Sequence, residues 1–188
     1  EYKDIHIVVD GKTVYQSNFS EAASLKQWKT RGGPWEIRDG ALRQTSLATD
    51  CRAWLADGRF SRYELRMKAR KTAGDEGFLI MFHVEGTDNF VWANLGGWGN
   101  TRHAFERCRD GAKAGGQGRQ GAIETGRWYD VSIKVDGSRA ECSLDGKRLM
   151  EVDLSSIGND RDPASKVYAS AVTDESAGEV LLRVVNIS

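Results

Sequence analysis

The stretch from Trp92 to His103 concentrates side chains that could recognise a sugar. Two tryptophans, two asparagines, an arginine and a histidine surround three glycines there. An indole offers a flat apolar face and one N–H donor, amide and guanidinium groups supply directed hydrogen bonds, and glycine lets a ligand approach the backbone closely. Such surfaces bind small polar molecules. The stretch therefore predicts either a carbohydrate-binding surface or a tight β-connection with both indoles in the core.

Further candidates lie outside this stretch. Arg52 lies on a short predicted strand, and Glu76 leads into a central one. Trp98 is the strongest candidate for contact with sugar, because an indole flanked by glycines has few neighbours to bury it. Trp92 is expected nearer the core, and Arg102 could equally be an ordinary salt-bridging residue. The predicted carbohydrate contacts are Trp98, Asn100, Arg102, His103, Trp92, Asn94, Arg52 and Glu76. Those expected at the rim are Trp98, Asn100, Arg102 and His103.

No local motif for a catalytic centre is present. Retaining glycosidases place two carboxylates close together, and in curved β-sandwiches these sit on one strand in a Glu-x-Asp-x-x-Glu pattern that this chain lacks. Asp75 and Glu76 are adjacent and would point to opposite faces of a strand, while Glu124 stands alone. A Gly-x-Ser-x-Gly elbow, a phosphate loop and an HExxH helix are also missing. The isolated chain is predicted not to be an enzyme, although a centre assembled from scattered residues stays open.

Metal binding has weak support in the sequence. The three cysteines and three histidines lie far apart without a Cys-x-x-Cys pair, so zinc-site spacing is missing. Cys51, Cys108 and Cys142 are predicted to be small buried thiols, with one disulfide and one remaining thiol as the alternative. No cofactor is predicted, but a structural calcium stays open because loop carboxylates can hold one. The candidate calcium ligands are Asp160, Asp162, Asp174 and Glu175.

The charge balance excludes two classes of partner. Lys plus Arg and Asp plus Glu both total 27, so the formal net charge is zero. Nucleic acids and anionic membranes both select basic surfaces, so neither is predicted as a partner. The length of 188 residues and the hydrophobic content of 39% predict a single domain spanning residues 1–188.

Recurring Asp-Gly dipeptides predict the fold class. They supply the positive φ angles of tight hairpin turns, and the short segments between them alternate in the manner of strands. This regular spacing of turns and short strands predicts an all-β antiparallel sandwich with one short helix. The helix is predicted over Glu21–Trp28, with Ser20 as its N-cap. Trp35 and Trp128 each open a predicted hairpin strand and are expected in the core.

Several strands must position the candidate contacts. Arg62–Arg70 alternates strictly, which predicts one core face and one basic solvent face. Phe78–Val84 and Phe90–Leu95 are mostly apolar on both faces and are predicted to be central. Arg102–Arg109 is predicted as the next strand. Gly111–Gly126 is rich in glycine and predicts a polar loop that is either mobile or lies at the edge of a site.

Motifs spread over nearly the whole chain resemble a known family. They are Trp35–Gly40, Glu76–Phe82, Leu95–Ala104, Ile123–Asp130, Leu144–Lys147 and Val184–Ser188. Together they resemble the concanavalin A-like, laminin-G-like jelly-roll β-sandwich of bacterial α-L-arabinofuranosidases of glycoside hydrolase family 51. The sequence departs from that pattern at Asp88–Ala93, where an aromatic run is reduced to Phe90 and Trp92. That departure favours a small pocket, or a structural contact, over an extended stacking platform.

The resemblance implies an accessory domain of a larger bacterial hydrolase. That family's arabinofuranosidase acts through two glutamates on a (β/α)8 barrel, which this chain does not contain. The implied partners are arabinose-containing plant oligo- or polysaccharide and the catalytic (β/α)8 domain of the parent chain. Secretion or attachment to the cell envelope would then come from the parent protein. A structural spacer packed on the barrel is the second hypothesis, and a hydrolase in its own right is the third.

Overall fold

The computed structural model describes residues 1–46, 48–55, 60–157, 167–174 and 179–186, the last two ranges by their backbone. Two short helical elements are present, a 3-10 helix at Ala22–Gln27 and the four-residue turn α1 at Gly97–Asn100. The strands are β1 (Tyr2–Val9), β2 (Lys12–Ser17), β3 (Trp28–Arg31), β4 (Trp35–Arg38), β5 (Ala41–Gln44), β6 (Arg52–Leu55), β7 (Arg62–Arg70), β8 (Phe78–Gly86), β9 (Asn89–Gly96), β10 (Arg102–Arg109), β11 (Ala112–Gln120), β12 (Trp128–Asp136), β13 (Arg139–Leu144), β14 (Lys147–Asp153), β15 (Val167–Asp174) and β16 (Glu179–Asn186).

The strands form two main sheets. An eight-stranded sheet runs in the order β14-β13-β12-β7-β1-β5-β4, with β2 paired to β1 off this path, and a four-stranded sheet runs β11-β10-β9-β8. The pairs β3–β6 and β15–β16 form separate two-stranded sheets. Every strand ladder among the described residues is antiparallel. The predicted all-β antiparallel sandwich is confirmed.

The core lies between the two main sheets. On β7, Met67 and Ala69 are buried while Arg62 and Arg66 are exposed, as the strict alternation predicts. The inward residues of β12 pack beside them, and the four-stranded sheet contributes Phe82 and Phe105, whose ring centroids lie 5.6 Å apart. Removing this apolar area from water is the main source of the fold's stability.

Strand β9 is central in the four-stranded sheet and is buried on both faces. The central placement predicted for Phe78–Val84 is wrong, because β8 is the outermost strand of that sheet in the described structure and pairs with β9 on one side. Ile80 and Ala93 belong to the face that packs into the core. The opposite face, called the outer face below, carries a second apolar cluster of Phe90, Trp92 and Cys108, against which Met81 packs. Burial on both faces explains why β9 does not alternate cleanly between apolar and polar residues. On β8 the apolar Leu79 is exposed instead.

The predicted helix is present in a different form. Glu21–Trp28 becomes the 3-10 helix at Ala22–Gln27, and Trp28 already begins strand β3. The N-cap assignment of Ser20 is wrong, because Glu21 occupies that position and makes no side-chain capping bond. A helix this short is held by its neighbours rather than by its own caps.

The loop predicted over Gly111–Gly126 is wrong for most of its length. Ala112–Gln120 forms strand β11, which pairs antiparallel with β10. Glycine disfavours strands, but backbone hydrogen bonds to an ordered neighbour override that preference.

The two tryptophans expected in the core are only half-buried. Trp35 packs against the edge of the core. Trp128 lies outside the core cluster, with Lys3 and Arg70 over its ring at 4.6 and 4.5 Å from the centroid. Its placement in the core is therefore wrong, since the first residue of β12 lies at the sheet surface among cations.

The cysteines are all free thiols. Cys108 and Cys142 are buried and Cys51 is half-buried, and burial raises the pKa of the Cys142 thiol to about 12.

Of the candidate calcium ligands, Asp160, Asp162 and Glu175 lie outside the described residues, and Asp174 ends β15 with only its backbone described. Within the described ranges no group of three or more His, Cys, Asp or Glu side chains could hold a metal ion. Nor does that part of the chain contain a helix long and apolar enough to cross a membrane.

Candidate functional site

Trp98 projects from a left-handed turn between β9 and β10. The backbone is left-handed at Trp98 (φ 52°, ψ 55°) and Gly99 (φ 69°, ψ 34°), and φ is 62° at Asn100. The Trp98 side chain is 43% exposed, and it is the aromatic member of the large apolar side chains exposed in the described part of the chain. Outside glycine and asparagine, a left-handed residue costs about 1–2 kcal/mol. The surroundings must therefore hold this turn in place.

Side-chain hydrogen bonds fix the turn. Asn100 donates from Nδ2 to the Ile123 carbonyl oxygen at 2.9 Å and accepts the Ile123 N–H at Oδ1 at 2.8 Å. The backbone N–H of Gly99 donates to Glu76 Oε1 at 3.2 Å, and the Thr101 hydroxyl donates to the Trp98 carbonyl oxygen at 2.8 Å. Asn100 and Glu76 therefore fix the backbone of the turn that carries the Trp98 side chain.

Arg102 supports the Trp98 ring. Its guanidinium carbon lies 4.6 Å from the ring centroid, and Nη2 donates to the Gly116 carbonyl oxygen at 3.0 Å. Among the described residues Arg102 has no carboxylate partner, so its charge is held by the indole and by a peptide carbonyl. A cation over the face of a ring is an attractive contact. It also limits how the indole can rotate.

A carboxylate that sequence reasoning missed lies at the middle of the outer face. Glu106 Oε2 accepts hydrogen bonds from Trp92 Nε1 at 2.8 Å and from Asn94 Nδ2 at 2.9 Å, while Oε1 has no partner among the described residues. Lys113 Nζ lies 5.2 Å from the centroid of the Trp92 ring. Trp92 and Asn94 thus orient an acceptor that has one free oxygen. The Asn94 Oδ1 atom is buried and unpartnered in the same part of the structure.

Arg52 closes one end of the outer face. It is 8% exposed, makes an ion pair with Asp50, and donates from Nη1 to the Thr87 carbonyl oxygen. Its guanidinium carbon lies 4.6 Å from the centroid of the Phe90 ring. These contacts tie β6 to the second apolar cluster.

The rim placement predicted for His103 is wrong. The residue is 3% exposed, because the register opposite Leu95 turns it towards the core. Its Nδ1 accepts the Gly96 N–H at 2.9 Å, so the ring braces the start of the turn. Burial, and to a lesser degree the charge of Arg119, lowers the pKa of His103.

The structure brings most of the predicted contacts to one concavity. Trp92, Asn94, Trp98, Arg52 and Glu76 line it, joined by Glu106 and Lys113, but the concavity is broad and also reaches core residues such as Ile80 and Phe82. The other predicted contacts, Asn100, Arg102 and His103, do not line it and act through hydrogen bonds and ring packing. Glu106 could have been found in the sequence only with the strand register, since Trp92 lies directly opposite it.

Comparison with known proteins identifies the family. A sequence profile described as the 3-keto-alpha-glucoside-1,2-lyase-like domain matches residues 14–184. The chain belongs to this family.

A sequence relative and a protein of similar fold place this family member in context. The chain is 36% identical over 187 residues to an extracellular exo-alpha-L-arabinofuranosidase of Streptomyces chartreusis. The aligned region covers 98% of this chain and 22% of that protein. The chain thus spans about a fifth of the curated relative it matches, and the predicted likeness to part of a bacterial arabinofuranosidase is confirmed. Carbohydrate binding module CBM66 from Bacillus subtilis has a TM-score of 0.59 at 18% identity, over 68% of this chain and 79% of that one, which shows a shared fold.

Proposed function

We propose that residues 1–188 form a non-catalytic, carbohydrate-binding accessory domain of a larger glycoside hydrolase. Its ligand is arabinose-containing oligo- or polysaccharide, and its covalent partner is the catalytic domain of the parent chain. The observation that carries the proposal is the exposed Trp98, held in a strained turn on the same sheet as the hydrogen-bonded Glu106 of the outer face. The arabinofuranosidase named above and the carbohydrate-binding module of similar fold support the same conclusion.

The arrangement suits a sugar chemically. The apolar C–H face of a sugar ring can stack on the exposed part of Trp98, whose orientation Arg102 limits. The free Oε1 of Glu106 can accept a sugar hydroxyl, and Lys113 can donate to one, since neither group has a charged partner in the described structure. An aromatic surface beside a few fixed polar groups is what a small polar ligand requires.

Calorimetric titration with arabinan, arabinoxylan and arabino-oligosaccharides tests the proposal. Weak binding of about −4 to −6 kcal/mol, in the high micromolar to millimolar range, is expected. Trp98→Ala should weaken binding by about tenfold or more, roughly 1.4 kcal/mol. Trp128→Ala is the matched control, because its indole also lies under a guanidinium group but on the other sheet. Equal losses in the two variants, or full binding by Trp98→Ala, would remove Trp98 from the site.

A structural spacer is the outcome if no sugar binds. In that case, deleting the domain from the parent hydrolase should lower the parent's melting temperature. It should change activity on polymeric and small substrates by the same factor. A selective loss on polymer supports the binding function instead.

The family description raises an elimination reaction as a second candidate. A 1,2-lyase acting on a 3-keto-glucoside needs a base to remove the C2 proton, which the neighbouring ketone makes acidic, as the C1 substituent leaves. Glu106 favours this candidate, because its carboxylate is oriented by two donors and keeps Oε1 free. Release of the leaving group from a 3-keto-α-glucoside, lost in Glu106→Gln, would establish it. No turnover combined with arabino-oligosaccharide binding supports the accessory role.

A further inference from the structure

Lys71 is a buried lysine for which the fold provides no ionic partner. It directly follows strand β7 and, two residues beyond the buried Ala69, continues the inward face of that strand. The residue is 7% exposed. Among the described residues its ammonium group makes no ion pair, no hydrogen bond and no contact with an aromatic ring. Lysine is almost never buried to this extent unless it is paired.

The backbone of Lys71 is fixed at the end of the sandwich that carries Trp98. The carbonyl oxygen of Lys71 accepts the N–H of Gly126 at 2.8 Å. The segment that ends at Gly126 also contains Ile123, whose backbone is bonded to the Asn100 side chain in the Trp98 turn. One stretch of chain therefore holds both the buried lysine and the turn with the exposed indole.

The buried lysine opens onto the concavity that Trp98 also lines. Lys71 and Glu76 both form part of its wall. A lysine can bury its alkyl stem while its ammonium group stays at the edge of a cavity. Glu76 does not neutralise that charge, because it makes no ion pair with Lys71 and its Oε1 accepts the Gly99 N–H at 3.2 Å. A charge held in a concavity without a counter-charge from the protein favours a ligand that brings one.

We propose that Lys71 forms an anion subsite of the carbohydrate-binding site and that the group it binds is the carboxylate of a uronic acid. This inference rests on the proposed function, with Trp98 stacking on a neutral sugar and Lys71 pairing with an acidic sugar of the same oligosaccharide. A sugar hydroxyl can accept a hydrogen bond from the ammonium group, but only an anion also neutralises its charge. The domain then prefers acidic, arabinose-containing oligosaccharides to neutral ones.

Calorimetry with two matched oligosaccharides tests the subsite. One is an arabinoxylan oligosaccharide with a glucuronic acid branch, and the other is the same molecule after reduction of its carboxyl group. At low salt the wild type should bind the acidic form about tenfold more tightly, and added salt should reduce this preference. Lys71→Met keeps an apolar stem and removes the charge, so it should bind both forms alike and melt no earlier than wild type. Lys134→Met is the matched control and should keep the preference, because Lys134 is exposed on β12 and does not line the concavity.

Each result separates the anion subsite from the function on which it rests. Equal affinity of the wild type for the two forms overturns the subsite alone, and so does a preference that persists in Lys71→Met or is lost equally in Lys134→Met. A much lower melting temperature of Lys71→Met also overturns it, since the fold would then require the ammonium group. Competition by acetate as strong as that by free glucuronate would overturn the uronic acid assignment. Failure of the wild type to bind either oligosaccharide overturns the proposed function together with the subsite.

Discussion

The hydrogen bonds between Asn100 and Ile123 should hold the left-handed turn under Trp98. Asn100→Ala removes two bonds, of 2.9 and 2.8 Å, to the backbone of a residue that is 1% exposed. Each is worth about 1 kcal/mol net. Alanine also pays about 1–2 kcal/mol for a φ of 62° that asparagine tolerates. The free energy of unfolding should therefore fall by roughly 3–4 kcal/mol, which lowers Tm by roughly 10 °C in a chain of this size.

Two further variants separate the contributions. Asn100→Gly relieves the left-handed strain and should lose about 1 kcal/mol less than Asn100→Ala. Asn100→Asp keeps the acceptor but places a carboxylate against the Ile123 carbonyl oxygen. The protonated carboxyl can donate there, so its folded pKa lies above the unfolded value of about 3.9. The stability of that variant should be highest below this value and fall as pH rises through the folded pKa.

Differential scanning calorimetry across pH, together with tryptophan fluorescence, measures these effects. If Asn100→Ala and Asn100→Gly both melt within about 2 °C of wild type, the bonds do not hold the turn. A melting temperature of Asn100→Asp that does not respond to acid would contradict the assigned direction of the Asn100 Nδ2 bond.

Three other predictions follow from the surroundings of single residues. The lowered pKa of His103 means that its contribution to stability is present above the unfolded pKa of about 6.5 and is lost as pH falls through the folded pKa. The free energy of unfolding, measured by urea denaturation at acid and neutral pH, should therefore change less with pH in His103→Asn than in the wild type. A thiol reagent should modify half-buried Cys51 in the native protein and leave Cys142 unmodified until unfolding, which mass spectrometry can follow. Gly77→Ala would bring a Cβ within 1.9 Å of the Leu95 carbonyl oxygen and should cost about 3 kcal/mol in chemical denaturation.

The strand framework was predictable where the sequence alternates. Strand β7 has the predicted bounds, Arg62–Arg70, and the predicted faces, because successive side chains of a strand point to opposite faces of the sheet. Strand β11 was not predictable, since glycine provides no alternation and the strand is held by backbone bonds to β10. The 3-10 helix at Ala22–Gln27 differs from the predicted helix because packing, not capping, decides its form.

The candidate site was predictable only in part. The glycine-flanked Trp98 is exposed as expected. Glu106 was missed because its partners Trp92 and Asn94 belong to another strand, and the register that joins them depends on both strands together. His103 was misplaced because a histidine beside a polar turn gives no sign in the sequence that its ring turns inward.

The bulged strand β11 also has a consequence for association between copies of the protein. Within the described sheets it is the last strand beside β10, so its outward backbone groups could template pairing with another chain. The bulge interrupts the regular spacing of those groups, and the exposed Lys113 and Arg119 place like charges wherever two such edges would meet. This irregular edge therefore resists edge-to-edge aggregation. Straightening it would raise the tendency to form intermolecular sheet at high protein concentration.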